Sequence, residues 1–104
     1  MPKADKFEMI IKTECPKFRS GKEKHRYIKA IITEADRQFN KHTRDLGDWP
    51  LAIQAFEDET ETGLLVLRFA KVLEPDENPG QTMNAIEAYL KNALQLNICG
   101  VERS

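Results

Sequence analysis

Apolar and polar residues alternate in several stretches of the chain, which is the pattern of β-strands with one buried face. Phe7–Lys12 is the first such stretch, and Pro16, which lacks a backbone N–H, closes it off. Leu51–Phe56 and Leu64–Val72 flank a polar, acidic turn and predict a β-hairpin. Leu96–Val101 predicts a short final strand, in which Cys99 and Val101 share one side.

Two other segments repeat their apolar residues at helical spacing. Ser20–His42 predicts a long amphipathic helix, with a capping box formed by Ser20 and Glu23. Its apolar stripe comprises Ile28, Ile31, Ile32, Ala35 and Phe39. A second helix is predicted to begin at Thr82 as its N-cap. The buried face of that helix comprises Met83, Ile86, Leu90 and either Ala93 or Leu94.

The predicted order of elements is strand, helix, strand, strand, helix, strand. Two right-handed βαβ-type units of this kind place both helices on one side of an antiparallel four-stranded sheet. The sequence therefore predicts an α+β, ferredoxin-like two-layer sandwich (βαββαβ), with residues 1–104 as a single domain. Trp49, in the connection after the first helix, is predicted to pack over the end of the core.

The sheet face turned away from the helices is predicted to be unusually apolar. If Phe7, Met9 and Ile11 meet the helices, the open face carries apolar side chains beside Glu8, Lys12, Gln54 and Arg68. The candidates for an interface are Ile10, Phe56, Leu64, Val66 and Val101, with Cys99 beside them. A contiguous apolar patch commonly marks a contact with a second copy or a partner protein. A register slip in any one strand would exchange its two faces.

The first helix also predicts a basic ridge, made of Lys22, Arg26, Lys29 and Arg37, with Thr33 and Asn40 between them. Such a ridge can contact phosphates without reading sequence, although a solvated helix surface is the commoner meaning of the same pattern. Charge is uneven along the chain: residues 1–45 carry a net +5 and residues 46–104 a net −6. That asymmetry can steer an anionic partner toward one side.

Several specific functions find no support in the residues. The RNA-recognition domain shares the predicted topology but stacks bases on aromatic side chains of its central strands. Here the corresponding run, Gly63–Phe69, carries leucine and valine at those positions. The acidic turn between the hairpin strands lacks the spacing of an EF-hand calcium loop and is predicted to be solvated.

Enzyme chemistry is likewise weakly indicated. His25 and His42 lie at opposite ends of the first predicted helix and cannot share a metal or a proton. The chain has no HExxH, glycine-rich phosphate loop or GxSxG motif. Cys15 and Cys99 are predicted to be free thiols, and the sequence shows neither a base nor an electropositive setting for Cys15 as a nucleophile. We therefore expect no metal and no cofactor; a small enzyme with a scattered site is the third-ranked hypothesis.

No stretch approaches the length of apolar residues that a membrane span requires, and the N-terminus lacks the apolar stretch of a secretory signal. The expectation is a cytoplasmic protein without a membrane partner. The function predicted first is a non-catalytic interaction module that self-associates or binds a partner protein through the open sheet face, with the basic helix as a second contact surface. The alternative is a sequence-nonspecific nucleic-acid-binding protein that uses the basic ridge.

Overall fold

The computed structural model describes residues 6–41, 50–58, 60–61, 63–73 and 75–103. The elements in chain order are β1 (Lys6–Glu14), α1 (Gly21–Asn40), β2 (Ala52–Glu57), β3 (Leu64–Val72), α2 (Pro79–Ala88, continued by a π-helical turn over Tyr89–Ala93) and β4 (Ile98–Arg103). This order confirms the predicted α+β two-layer sandwich. The predicted positions of His42 and Trp49 lie outside the described residues.

The four strands form one antiparallel sheet in the order β2-β3-β1-β4. Met9 lies opposite Phe69 of β3, which in turn lies opposite Ile53 of β2. Because directly opposed residues of antiparallel strands point to the same face, these three side chains share the face that meets the helices.

The core lies between that face and the two helices. The sheet contributes Phe7, Met9, Ile11, Leu65, Leu67 and Phe69. The helices contribute Ile31 and Ala35 from α1, and Ile86 and Leu90 from α2 or its π-helical extension. Full burial of one large aliphatic side chain contributes about 1.5–3 kcal/mol, so this cluster is the main source of stability. It leaves the opposite face of the sheet uncovered by either helix.

Helix α1 begins as the sequence predicts, with one difference in its cap. The Glu23 backbone N–H donates to the Ser20 hydroxyl oxygen at 3.2 Å. The Glu23 carboxylate, however, accepts from the Arg19 backbone N–H at 3.1 Å rather than from that of Ser20. Both bonds satisfy donors at the start of the helix that have no partner within it.

Asn40, predicted on the exposed ridge of α1, is buried instead. Its amide oxygen accepts from the Leu51 backbone N–H at 2.6 Å, and its amide nitrogen donates to the Leu51 carbonyl at 2.9 Å. The same nitrogen donates to Asp36 at 2.7 Å. Helical periodicity alone predicts Asn40 to be exposed. It is buried because Leu51, just before β2, lies against the end of α1.

Helix α2 begins four residues before the predicted site. The N-cap is Asn78, whose side-chain oxygen accepts from the Gln81 backbone N–H, and Pro79 occupies the first helical position. Proline suits that position because its missing N–H would have had no partner there. Thr82 lies inside the helix, where its hydroxyl donates to Glu77 at 2.8 Å.

Strand β4 runs two residues later than predicted and contains a β-bulge, which reverses the predicted faces of its second half. Thr13 lies opposite Ile98, but the next residue back, Lys12, lies opposite Gly100, so Cys99 is an extra residue. Val101 therefore lies opposite Ile11, on the helix side of the sheet. The Arg103 guanidinium confirms this orientation by donating to Asn84 of α2 at 2.8 Å. Val101 is thus not part of the open face.

Candidate interaction surfaces

The other four interface candidates do lie on the face of the sheet turned away from the helices, which we call the open face. Val66 of β3 lies between Phe56 of β2 and Lys12 of β1. Ile10 of β1 lies between Arg68 of β3 and Glu102 of β4. Leu64 occupies the neighbouring position at the start of β3, opposite Glu14.

These four candidates differ greatly in their exposure. Phe56 is 47% exposed, whereas Val66 is only 7% exposed although no helix covers it. Ile10 and Leu64 are half-buried. Val72, 39% exposed at the far end of β3, adds to the same face. The accessible apolar surface is therefore smaller than the alternation predicts, and Phe56 is its most exposed large side chain.

A charged network crosses the middle of the open face. The Arg68 guanidinium donates to Glu8 at 2.5 Å and to the Gln54 side-chain oxygen at 3.2 Å, joining β1, β3 and β2. This hydrogen bond from Arg68 holds the pKa of Glu8 below its usual value, and Glu8 raises the pKa of Arg68. The two charges therefore neutralise each other within the sheet.

A second ion pair spans β3. Lys12 Nζ of β1 lies 3.1 Å from Asp58 Oδ2, just beyond the end of β2. The other carboxylate oxygen of Asp58 accepts from the backbone N–H and hydroxyl of Thr60, both at 2.8 Å, and from the Glu61 N–H at 3.2 Å. These bonds from Thr60 and Lys12 hold the pKa of Asp58 far below its usual value.

The Lys12–Asp58 ion pair changes the meaning of the acidic turn. The Asp58 side chain is only 8% exposed, and its partner Lys12 lies directly opposite Val66, on the side of Val66 away from Phe56. From the residues alone this turn is predicted to be acidic and solvated, whereas the Asp58 side chain is nearly buried. Asp58 followed by Thr60 is a signature of an Asx-type turn and could have signalled this local structure.

The structure places Lys22, Arg26, Lys29 and Arg37 along the exposed side of α1, and all four are exposed. Arg37 pairs with Glu34 at 3.2 Å. Among the described residues, Lys22, Arg26 and Lys29 form no ion pair. The part of the basic ridge whose charges are not paired within the described residues therefore consists of these three side chains, nearer the start of α1.

A cleft of about 760 Å³ opens between the β1–α1 loop and the end of the β2–β3 hairpin. Its lining includes Cys15, Phe18 and the ion pair of Lys24 with Glu57, whose charged atoms lie 2.9 Å apart. Burial raises the pKa of the Cys15 thiol, and Glu57 adds to that effect. The thiol is therefore held in its less nucleophilic, protonated form at neutral pH.

Within the ranges that the structure describes, no three acidic, histidine or cysteine side chains are grouped so as to hold a metal ion. In the same ranges, neither helix combines the length and the hydrophobicity needed to cross a bilayer.

Comparison with known proteins shows the fold and nothing more specific. No protein-family model matches the chain, and no curated protein resembles it in sequence. The de novo designed protein Ferredog-Diesel is similar in structure, with a TM-score of 0.57 and 10% identity over 100% of this chain and 88% of that one. The C-terminal domain of the MgtC protein from Mycobacterium tuberculosis is similar with a TM-score of 0.50 and 15% identity, over 95% of this chain and 84% of that domain. At such low identity, these likenesses establish a shared small α+β architecture.

Proposed function

We propose that this protein is a non-catalytic interaction module that binds a partner protein through its open face. The observation that carries the proposal is Phe56, a large aromatic side chain that is 47% exposed where the edge strand β2 borders that face, beside Val66. Exposed aromatic residues of this kind commonly supply the anchor of a protein interface.

The main charged groups around Phe56 are arranged so that a docked protein need not leave them unpaired. Covering an unpaired charge costs several kcal/mol, whereas charges that already have partners keep them when water is removed. Arg68 pairs with Glu8, and Lys12 pairs with Asp58, so these four charges of the open face are satisfied within the chain, whereas Glu102 lies on the edge strand β4. A partner can therefore cover Phe56 and Ile10 without leaving any of these four charged groups buried and unpaired.

Site-specific photo-crosslinking in cells tests this proposal. A photoreactive residue at Ile10, in the middle of the open face, is expected to give discrete covalent adducts with protein. The same residue at Asn92, exposed beyond α2, serves as the control and is expected to give none. Equal adduct formation at both positions, or none at Ile10, would contradict the proposal.

A second candidate function is sequence-nonspecific binding of nucleic acid by the basic ridge. The specific observation in its favour is that Lys22, Arg26 and Lys29 are exposed and have no ion pair among the described residues. Three phosphate contacts on duplex DNA predict that log K falls with log salt with a slope of about −2.7.

Fluorescence anisotropy with a mixed-sequence duplex, measured over a range of salt concentrations, tests that candidate. The Arg26→Gln, Lys29→Gln variant is expected to reduce the slope to about −0.9, because one of three contacts remains. Lys91→Gln, an exposed charge on the other helix, is the matched control and should leave the slope unchanged. No binding by the wild type at low salt would remove this candidate.

We also propose a cytoplasmic location, since both cysteines are free: Cys15 is half-buried and Cys99 is exposed. Exposed free thiols persist in reducing compartments and are oxidised elsewhere. Thiol labelling of rapidly quenched cells is expected to find Cys99 reduced.

A further inference from the structure

Strand β2 forms one edge of the sheet, and one of its sides has no neighbouring strand in the part of the chain that the structure describes. All six of its residues pair with β3 in a continuous register, and no strand in the described ranges pairs with its other side. An edge of this kind presents a row of backbone donors and acceptors to which another strand can be added.

The two edges of the sheet differ in their protection against such pairing. The edge strand β4 carries a bulge at Cys99 and ends in the charged residues Glu102 and Arg103. Bulges and charges are the usual devices that keep an edge from pairing. Strand β2 has neither a bulge nor a proline, and its one charged residue, Glu57, is paired with Lys24.

The side chains of β2 complement those of a second, antiparallel β2. With a twofold axis at Gln54, Ala52 lies opposite Phe56 of the other copy, and Ile53 lies opposite its Ala55. Phe56 and Ile53, one on each face of the sheet, then each meet an alanine, and no like charges are opposed. A twofold axis at Ala55 would instead place Ile53 opposite Glu57, which is a poorer match.

We propose that a second copy of this chain binds along the β2 edge, antiparallel and with its twofold axis at Gln54, to form one continuous eight-stranded sheet. The pairing is isologous, as in most homodimers. It places Ala52 of each copy beside Phe56 of the other, so that the two open faces join into one larger surface. The inference is independent of the proposed docking of a partner protein on the open face.

Disulfide trapping tests the register directly. In a Cys15→Ala, Cys99→Ala background, Gln54→Cys places two thiols across the twofold axis, where antiparallel Cα atoms lie about 4.5–5.5 Å apart, within disulfide range. We expect mild oxidation to convert most of this variant to a covalent dimer. Ala52→Cys alone should not crosslink, because its two copies are offset by four residues, or about 13 Å.

A mixture of the Ala52→Cys and Phe56→Cys variants should form a mixed disulfide, since those positions are opposed in the same register. Val101→Cys, on the β4 edge, is the control and should form no disulfide-linked dimer. The mass of the wild-type chain by light scattering is expected to rise with concentration from 12.0 kDa toward twice that value. Gln54→Lys, which opposes two positive charges at the axis, should hold it at 12.0 kDa.

Absence of a disulfide in the Gln54→Cys variant would overturn the edge pairing, as would equal crosslinking of the Ala52→Cys, Gln54→Cys and Val101→Cys variants. So would a wild-type mass that stays at 12.0 kDa at all concentrations. These failures are distinguishable from failure of the open-face proposal, because Ile10 lies two strands away from the β2 edge. Adducts at Ile10 without the Gln54→Cys disulfide would leave only the docking of a partner; the reverse result would leave only the edge dimer.

Discussion

Asn40 shows how much of this structure rests on one polar side chain. Its amide pairs with both the N–H and the carbonyl of Leu51, and so replaces the strand neighbour that this buried backbone lacks. Removing one partner from a buried hydrogen bond costs about 1–3 kcal/mol for each group left unsatisfied.

We expect Asn40→Ala to lower the free energy of unfolding by about 2–4 kcal/mol, because it strands both backbone groups of Leu51. Urea unfolding measures this value. Asn92→Ala, at an exposed position, is the matched control and should change it by less than about 0.5 kcal/mol. A loss from Asn40→Ala as small as that of the control would show that water satisfies Leu51 instead.

Thr13 is the opposite case, because removing its hydroxyl group is expected to raise the free energy of unfolding. Its side chain is fully buried on the helix side of β1, and its hydroxyl has no hydrogen-bond partner among the described residues. Thr13→Val replaces that hydroxyl by a methyl group of similar size, and we expect it to raise the free energy of unfolding by about 1 kcal/mol.

The control for Thr13→Val is Thr33→Val, at an exposed position of α1, where the same exchange should give no gain. Urea unfolding of both variants separates the effect of burial from the effect of the threonine-to-valine exchange itself. A loss of stability in Thr13→Val would mean that the hydroxyl is hydrogen-bonded, for example to a buried water molecule.

At the scale of elements, Asp58 ties the end of β2 to β1, in addition to the pairing of β3 with β1. Because the pKa of Asp58 is lowered in the folded state, its contribution is fully present above the ordinary aspartate pKa of about 3.9 and is lost as the pH falls below that value. The raised pKa of Lys12 adds pH dependence only in the alkaline range.

We therefore expect the wild type to lose more stability than Asp58→Asn when the pH is lowered from about 6 to about 3. The measurement is urea unfolding of both proteins at each pH, so that the other carboxyl groups cancel in the comparison. Equal losses in the two proteins would show that Asp58 makes no ion pair or turn hydrogen bonds of consequence in solution.

The elements also show what the sequence could and could not predict. Alternation in β1 and β3 predicted their buried faces correctly, because both strands are regular and central. In β4 the extra residue Cys99 reverses the faces, so Val101 was assigned wrongly. A bulge depends on pairing with the neighbouring strand, which a single stretch of sequence does not contain. Thr82 was predicted as the N-cap and residues 74–80 as a loop, whereas Asn78 caps α2 and Pro79 is its first residue.

For the same reason, the sequence predicted the basic ridge more accurately than the open face. The ridge residues Lys22, Arg26 and Lys29 follow from helical spacing alone, and the structure exposes all three. Val66 is only 7% exposed between Lys12 and Phe56, which come beside it only once β1, β2 and β3 are aligned. Long-range register therefore decides how apolar the open face is.

At the scale of the whole molecule, the open face and the basic ridge lie on opposite layers of the sandwich, one on the sheet and one on the outer side of α1. A protein partner on the sheet would therefore leave the ridge free, and the two proposed contacts can be tested separately. Phe56 and Val101 offer a matched pair for this purpose, since they are 47% and 37% exposed but face opposite sides of the sheet.

The most direct test of the central claim is the yield of photo-crosslinked protein adducts at Ile10 in the wild type, in Phe56→Ser and in Val101→Ser. Loss of an interface anchor costs about 2 kcal/mol or more, so Phe56→Ser should lower the affinity, and with it the yield at low expression, by at least about tenfold. Val101→Ser should leave the yield unchanged. Equal yields in the two variants, or no adducts in the wild type, would contradict docking on the open face.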